Sequence, residues 1–533
     1  MRHFFALSLI TASLLSSVAS ADSTATAMYF HSQVRDAPEC GATINSDGDI
    51  TYPATINSPA ATCPDTVGWT QFMEAIQAEF WRNWANDETI WVSEPKPVCA
   101  TDGSTDCCFW KRSGTPLVGY RNAAGEVQRP DDIGAPGKYC PYQPGDWGGA
   151  DETTFAGGKP GGSHNTTFLR ELDPARIARQ GQVEVVYRNQ PFTAYTTALE
   201  LYSKAGLATL FARISGEAAN SLPYRPGGQG VSYPAASVMF KVGWISREAM
   251  LELGYVKDHD NDPATPPQDA DNPYITMKIK ASSDEGKTYK EDIYYLASIT
   301  GSSKALPNWH WYAFEHVNNL GRCDFTGCND SFGFTTTVSI KAPLQPDPDK
   351  PVMTSFESNF VTPHTRDDQL KDNDALFDLG KPYPSGKMTD DLAALFKGAG
   401  VGTGADPVDA ERPKVSDPAW KSYRLKGTQT QFHNRDGYPT IVGASITEGG
   451  FVNTASCMSC HVQASVNAKG ENGVPGVGAT GRLNLFGLGT VVSGAPENAD
   501  FFDRGTTNQR AVQTDFVWGI LFAQDAEKAD AKK

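Results

Sequence analysis

The chain contains little histidine and cysteine, and neither residue occurs in its last 72 positions. It has nine His, nine Met and ten Cys among 533 residues, and no residue of these three types follows His461. The sequence also lacks a P-loop, an H-E-x-x-H motif and a G-x-S-x-G motif. The Gly-rich run at 157–162 has no strand-to-helix context for phosphate binding. No motif therefore points to nucleotide-driven, zinc-protease or serine-hydrolase chemistry.

Long hydrophobic runs are absent after residue 18, since no later stretch approaches the roughly 20 apolar residues of a helical membrane span. At the amino terminus, Arg2 and His3 precede an apolar run at 4–18 that ends in Ala-Ser-Ala at 19–21. This pattern is typical of a cleaved signal peptide. We expect residues 1–21 to be removed after about Ala21, and the protein to be periplasmic or secreted.

Basic residues are outnumbered, with 46 Lys and Arg against 62 Asp and Glu and a formal charge of −16. This balance disfavours nucleic-acid and anionic-membrane partners and permits a basic partner protein. The length suggests two or three domains.

The most informative motif is Cys457–His461, which reads C-x-x-C-H. At this spacing two thiols can be joined covalently to a haem while the histidine ligates its iron. With this composition, the pattern arises by chance in only about three of a thousand such chains. We therefore predict one covalent haem c, with Cys457, Cys460 and His461 as cofactor-binding residues and His461 as the metal ligand. The alternatives are a redox dithiol, a plain disulfide, or half of a zinc site that lacks a second pair.

The second axial ligand of the iron is not evident from the sequence. Met458 lies between the two cysteines and cannot reach the opposite face of a haem. The ligand must therefore come from upstream or from solvent, or the position is open. His316 is the first candidate and His310 and His433 follow, since strand alternation would place His310 and His316 on one face. The further upstream candidates are His364, Met353 and Met388.

Eight cysteines lie outside the motif, an even number that indicates disulfide bonds in an exported chain. Cys323 and Cys328 are close enough in sequence to form a local bridge. The other six precede residue 141, in a Gly- and Pro-rich region that we expect to be stapled by disulfides, with a structural zinc site as the minority alternative. These six are Cys40, Cys63, Cys99, Cys107, Cys108 and Cys140.

Hydrophobic periodicity predicts an α+β protein. The 3–4 spacing of apolar residues predicts helices at 69–80, 195–216 and 390–396, and a short helix at 457–466 capped by Ser456. Alternating runs predict antiparallel, sandwich-like strands at 183–187, 237–245, 274–280, 292–299 and 335–341.

The chain is accordingly divided into five regions, with a β-rich lobe before a smaller, mainly helical or irregular carboxyl-terminal haem c region. The regions are 1–21, the signal peptide; 22–165, the Cys/Gly/Pro-rich stapled region; 166–345, the β-rich lobe; 346–421, a connector; and 422–533, the haem-binding region.

Several stretches resemble a family of exported bacterial proteins described as cytochrome c family, with one C-x-x-C-H near the carboxyl end. The resemblance extends from roughly residue 170 to the end and rests on 185–189, 238–244, 314–319 and 456–461. It implies a monohaem oxidoreductase without a defined partner. The chain departs from the family pattern at 296–301, where a histidine-containing strand is expected.

These observations favour an electron-transfer protein that exchanges electrons with another redox protein. The alternative is a haem enzyme or small-ligand sensor with an open sixth iron position. A third possibility is a binding module for a redox protein in which the haem acts as a relay. The sequence indicates a carrier more strongly than a stand-alone enzyme, and an enzyme would belong to the oxidoreductases.

Overall fold

The protein is represented by a computed structural model in which a seven-stranded sheet occupies the centre of the described residues. Among those residues, no helix is both long and apolar enough to cross a bilayer. The described residues are 35–91, 120–121, 127–128, 154–155, 181–220, 230–257, 265–281, 290–323, 327–341, 353–358, 360–361, 383–433, 440–448, 455–471, 473, 501–503 and 508–524.

The helices are distributed along the chain. Within the described residues, two 3-10 helices span Pro418–Ser422 and Trp518–Phe522. The α-helices in the described part are α1 (Pro59–Thr62), α2 (Pro64–Gln77), α3 (Phe80–Asn83), α4 (Asp87–Ile90), α5 (Gln190–Ala198), α6 (Lys204–Asn220), α7 (Arg247–Glu252), α8 (Asp390–Ala399) and α9 (Cys457–His461).

Most of the longer strands belong to the central sheet. The strands are β1 (Thr43–Ile44), β2 (Ile50–Thr51), β3 (Tyr120–Arg121), β4 (Val127–Gln128), β5 (Thr154–Phe155), β6 (Gln182–Arg188), β7 (Val238–Ser246), β8 (Thr276–Ala281), β9 (Lys290–Ser303), β10 (His310–His316), β11 (Cys328–Asn329), β12 (Phe334–Lys341), β13 (Met353–Ser358), β14 (Phe360–Val361), β15 (Lys387–Met388), β16 (Tyr423–Gln429), β17 (Ser465–Val466) and β18 (Val512–Gln513).

The sheet runs in the order β16-β10-β9-β7-β6, with all neighbours antiparallel. The 14-residue strand β9 pairs with β7 along one edge. Its other edge is shared, because residues 298–303 pair with β10 and residues 290–295 pair with β8. Strand β5 adds to β8 in parallel. The predicted α+β class is confirmed, and strands form at each of the five predicted positions.

The two faces of the sheet carry different parts of the chain. From β10, Phe314 packs against α2, with its ring 4.7 Å from Trp69 and 4.3 Å from Phe72. Trp311 of the same strand points the other way, and its ring lies 4.6 Å from that of His461. We call these the α2 face and the motif face. Helices and loop segments cover both faces of this sheet, which differs from two sheets packed as a sandwich.

Strand β16 and helix α2 attach distant parts of the sequence to the same sheet. The predicted boundary at residue 421 falls just before β16, which pairs with β10. Helix α2 comes from the predicted stapled region and buries its apolar side against the sheet. The five-region division stays a prediction, and the expected signal peptide at 1–21 lies outside the described residues.

Two disulfide bonds occur in the described structure. The predicted bridge between Cys323 and Cys328 is present, and Cys40 pairs with Cys63, which precedes α2. The remaining predicted disulfide cysteines lie outside the described residues: Cys99, Cys107, Cys108 and Cys140.

Candidate functional site

The C-x-x-C-H motif forms the short helix α9, and its first turn is fixed to the sheet. Ser456 is the N-cap, and its hydroxyl accepts a hydrogen bond from the Ser459 amide at 3.3 Å. Gln429 at the end of β16 accepts from the Met458 amide at 3.1 Å and donates to the Ser456 hydroxyl at 2.9 Å. The helix ends at His461, earlier than the predicted residue 466, because Ser465–Val466 pairs with β18.

Both motif cysteines are free thiols one helical turn apart, and Cys460 is the more exposed. Burial raises the pKa of Cys457 well above its usual range. Burial also raises the pKa of Cys460, to about 11, although the nearby Lys241 cation acts in the opposite direction. At neutral pH both thiols are therefore protonated, and neither is paired in a disulfide.

His461 presents one ring nitrogen to a backbone carbonyl and keeps the other available. Its Nδ1 lies 2.8 Å from the carbonyl oxygen of Phe516. Because a carbonyl can only accept, Nδ1 carries the proton and Nε2 holds the free lone pair. No hydrogen-bond partner of Nε2 occurs among the described residues. Burial lowers the pKa of His461 to about 4, so the ring is neutral at physiological pH.

Residues 512–518 wrap around the end of α9, and we call this segment the clasp. The Trp518 indole donates to the Cys460 carbonyl at 3.1 Å, and the Gln513 amide donates to the Val462 carbonyl at 2.9 Å. A backbone bond from Thr514 to the Ala464 carbonyl at 2.9 Å continues this contact. The clasp thus satisfies carbonyls that the short helix leaves without an intrahelical partner. It also positions the Phe516 carbonyl against His461.

The floor beneath α9 is a row of small polar side chains from β9. Thr300 pairs with Lys241 and Ala313, and Ser302 pairs with Met239 and Trp311, so both hydroxyls share the face that Trp311 presents to His461. Both hydroxyl oxygens are buried without a hydrogen-bond partner. Buried polar groups are rarely left unpaired in a complete structure. The floor therefore has hydrogen-bonding capacity that the described protein atoms do not use.

Charged side chains border this floor. Lys241 of β7 lies 3.2 Å from Glu184 and 3.6 Å from Glu448, measured from Nζ to carboxylate oxygens. Burial opposes the lysine charge, but the two carboxylates outweigh it and raise the pKa of Lys241 above its ordinary value. Lys426 and Glu315 form a second, fully buried pair at 3.7 Å. The motif face therefore places the Lys241 cation and its two carboxylate partners near the thiols.

The structure corrects the first proposal for the sixth ligand. The ring of His316 stacks on Tyr274 at 3.4 Å on the face opposite His461. Its Nδ1 accepts from the Asn318 amide at 3.2 Å, so Nε2 carries the proton and donates to the Pro273 carbonyl at 3.2 Å. Both nitrogens are occupied and the sheet intervenes. His316 is therefore not placed to ligate an iron held by His461.

The other candidates divide between the two faces. His310 lies on the α2 face beside Tyr312, as strand alternation with His316 predicted, and Met388 packs against the α2-face core. His433 is exposed after β16, and its neighbour Phe432 stacks near Phe516 on the motif side. The side chain of Met353 and the whole of His364 lie outside the described residues. Met239, which sequence reasoning did not single out, is buried in the motif-face core.

The donor set agrees with a covalently attached haem. Two reduced thiols lie one turn apart, and an imidazole with a free Nε2 follows immediately. Among the described residues, no cluster of three or more His, Cys, Asp or Glu side chains could hold a metal ion by itself. A haem requires only one such side chain from this helix, because its porphyrin supplies the other four nitrogens.

Sequence reasoning singled out the three motif residues but not Gln429, Lys241 and Phe516, which the structure places beside them. Gln429 and Lys241 carry no motif and reach the site only through strand pairing. Phe516 acts through its backbone carbonyl, which no sequence pattern marks. Comparison of the chain with protein-family models, curated proteins and solved structures finds no match. The family resemblance of the sequence therefore stays a prediction.

Proposed function

We propose that the protein is an exported monohaem c-type cytochrome that acts in electron transfer. The observation that carries the proposal is the state of the motif: Cys457 and Cys460 are unpaired thiols, while the Phe516 carbonyl holds the proton of His461 on Nδ1. Bound haem would supply an iron that takes up and releases one electron. The protein contributes the two thioether attachments and an oriented neutral imidazole as the axial ligand.

The motif face suits electron exchange at a surface. Cys460 and His461 are partly exposed, whereas Cys457 and the floor residues Thr300 and Ser302 are buried. A group attached here would have one edge inside the protein and one edge near solvent. The partner would be a redox protein, since electron transfer requires close approach to that exposed edge.

The proposal is tested by the covalent attachment of the pigment. The protein is expressed with its signal peptide in a bacterial host that has an active cytochrome c maturation system, and the purified protein is extracted with acidic acetone. We expect the pigment to stay with the wild-type chain and to be absent from the Cys457→Ser/Cys460→Ser variant. The matched control, Cys323→Ser/Cys328→Ser, removes another closely spaced pair and should retain the pigment. A wild-type chain without covalent pigment would overturn the proposal.

A haem enzyme or ligand sensor is the second candidate function, because His310, His316 and Met388 lie on the α2 face. Their position removes three proposed protein ligands and leaves Met239 and His433 as described candidates on the motif side. The absorption spectrum with and without carbon monoxide distinguishes the two functions. A low-spin spectrum that the gas leaves unchanged indicates a carrier. Gas binding by the wild type indicates an open site.

If the wild type is closed to carbon monoxide, Met239→Leu and His433→Gln identify the ligand. The variant that gains gas binding has lost the sixth ligand. Met277→Leu is the control for Met239, because Met277 is also buried but belongs to the α2-face core.

A further inference from the structure

The backbone that carries the Phe516 carbonyl has an unusual conformation. Asp515 and Phe516 are consecutive non-glycine residues with φ angles of 50° and 67°. Left-handed backbone is unfavourable for side chains other than glycine, although Asp tolerates it better than most. A bulky aromatic residue such as Phe516 has no such tolerance. Surrounding contacts must therefore maintain this conformation, and it is the conformation that directs the carbonyl towards His461.

The contacts that could maintain it converge on the Asp515 carboxylate. One oxygen accepts a hydrogen bond from the Tyr233 amide at 2.7 Å. The other accepts from Lys304 Nζ at 2.5 Å and from the Trp309 indole at 3.4 Å. Asp515 and the side chain of Lys304 are only 6% and 10% exposed. Three residues from two separate parts of the chain thus hold one buried carboxylate in place.

These anchors belong to the sheet that supports the motif. Lys304 and Trp309 lie in the connection between β9 and β10, and Trp309 also has a left-handed φ of 62°. Trp311, two residues further along, packs against the His461 ring. The β9–β10 connection therefore holds the clasp through Asp515, and β10 contacts the histidine directly. His461 is thus contacted by the clasp and by β10, and Asp515 links the clasp to the β9–β10 connection.

We propose that Asp515 is a positioning residue that fixes the Phe516 carbonyl and thereby the tautomer and ring orientation of His461. The positioning itself does not depend on a bound haem. Its functional meaning rests on the proposed function, in which Nε2 of His461 ligates the iron. Hydrogen bonding from the second ring nitrogen increases the basicity of a ligating imidazole and fixes its orientation.

The first test measures hydrogen exchange at the imidazole N–H of His461. The full-length protein is labelled with ring-¹⁵N histidine, and the reduced form is observed by NMR. The signal is assigned by its loss in His461→Gln. We expect a slowly exchanging Nδ1–H in the wild type, because its hydrogen bond to the Phe516 carbonyl protects it.

Asp515→Gly removes every side-chain anchor but accommodates the positive φ. It should accelerate this exchange by about tenfold or more as the carbonyl loses its fixed position. Asp515→Asn retains an acceptor oxygen and should accelerate it less. The control is Asp503→Asn, which changes a more exposed acid paired with Arg510 at 3.6 Å in the same part of the chain. It should leave the rate unchanged within about twofold.

The proposal is overturned if the wild type shows no protected His461 N–H. It is also overturned if Asp515→Gly folds normally by circular dichroism and exchanges at the wild-type rate. If the glycine variant does not fold, Asp515→Asn decides, and an unchanged rate in that variant contradicts the proposal. Because the exchange is measurable with or without pigment, a chain that lacks haem but shows these rates would refute the proposed function alone.

Reduction potentials provide a second readout in pigmented protein. Asp515→Gly and Asp515→Asn both remove one negative charge, so their difference isolates positioning from charge. We expect the glycine variant to have the higher potential, because a loosened Nδ1 hydrogen bond weakens electron donation from His461 to the iron. Equal potentials in two well-folded variants would contradict the proposal.

Discussion

At the residue scale, histidines whose pKa values are lowered in the folded protein couple the stability of the fold to pH. Burial lowers the pKa of His310 to about 3 and that of His461 to about 4, and it lowers the pKa of His316 well below 6.5. In the unfolded chain these rings take up protons near pH 6.5, whereas the folded chain resists protonation. A base with a depressed pKa therefore contributes stability above pH 6.5, and this contribution is lost as the pH falls towards the folded-state value.

We predict that His310→Leu makes the protein less sensitive to acid. Between pH 7 and pH 4, the wild-type histidine should account for roughly 3 kcal/mol of the decrease in unfolding free energy. The variant should lack this part of the decrease. Urea unfolding at the two pH values measures it, and the exposed His433→Leu variant should behave as the wild type. An equal pH dependence in His310→Leu and the wild type would show that the ring is not responsible.

Gln429 is a second residue whose contribution to the unfolding free energy can be measured by substitution. Its side chain contacts the Met458 amide and the Ser456 hydroxyl at the start of α9. Gln429→Met preserves the approximate volume but leaves these buried groups without partners, so we expect a loss of about 1–3 kcal/mol in unfolding free energy. Gln431→Met changes an exposed residue of the same segment and should cost less than about 0.5 kcal/mol. Similar unfolding curves for the two variants would refute this role of Gln429.

At the element scale, β9 is shaped for different neighbours on its two sides. Thr300 and Ser302 form the small polar floor on the motif face, whereas Gly301 faces α2. A Cβ atom at Gly301 would lie 2.1 Å from Cε2 of Tyr312, so the aromatic ring of β10 occupies the position of the missing side chain. Small residues on β9 therefore let large aromatic residues of β10 pack closely.

We predict that Gly301→Ala destabilises the protein by about 1–3 kcal/mol, because the buried Tyr312 ring must shift. Gly216→Ala is the control, since Gly216 lies on the exposed side of α6 and a Cβ atom there would meet nothing within 4 Å. That substitution should raise stability by about 0.5–1 kcal/mol. Thermal unfolding of both variants shows whether each substitution lowers or raises the stability of the protein. Equal effects would indicate that Tyr312 relaxes without cost.

At the scale of the whole molecule, one sheet supports both the aromatic core around α2 and the motif. Asp65 at the start of α2 joins distant segments, because its carboxylate accepts from the Ser331 amide at 2.9 Å and from the Thr428 hydroxyl at 2.9 Å. Thr428 belongs to β16, which also carries Gln429. The contacts of α2 and of α9 thus meet on adjacent residues of one strand.

We therefore predict that the two faces unfold together. If the proposed haem is attached, visible absorbance reports on the motif, and far-UV circular dichroism reports on the whole fold. Asp65→Ala should shift both urea transitions to lower concentration by the same amount, at a cost of about 1–3 kcal/mol. The exposed Asp47→Ala variant should shift neither. Transitions separated by more than about 0.5 M urea would show that the motif unfolds independently of the sheet.

Local patterns predicted much of the secondary structure in the described residues. Alternation places strands at 183–187 and 335–341, and the 3–4 periodicity places a helix through Trp69 and Phe72, because each pattern reflects burial of one side of an element. Alternation also predicted that His310 and His316 share a face. It could not predict which face, because that depends on how β10 pairs and what packs against it.

By itself, the sequence determined the C-x-x-C-H motif and the α+β class, since both follow from residue spacing and local periodicity. Tertiary structure decided how the site is built. It brought Gln429 from β16 to the start of α9 and the Phe516 carbonyl to His461. It also placed His316 across the sheet with both nitrogens occupied. These relationships depend on strand register and on backbone atoms that every residue type shares, so no pattern in the sequence specifies them.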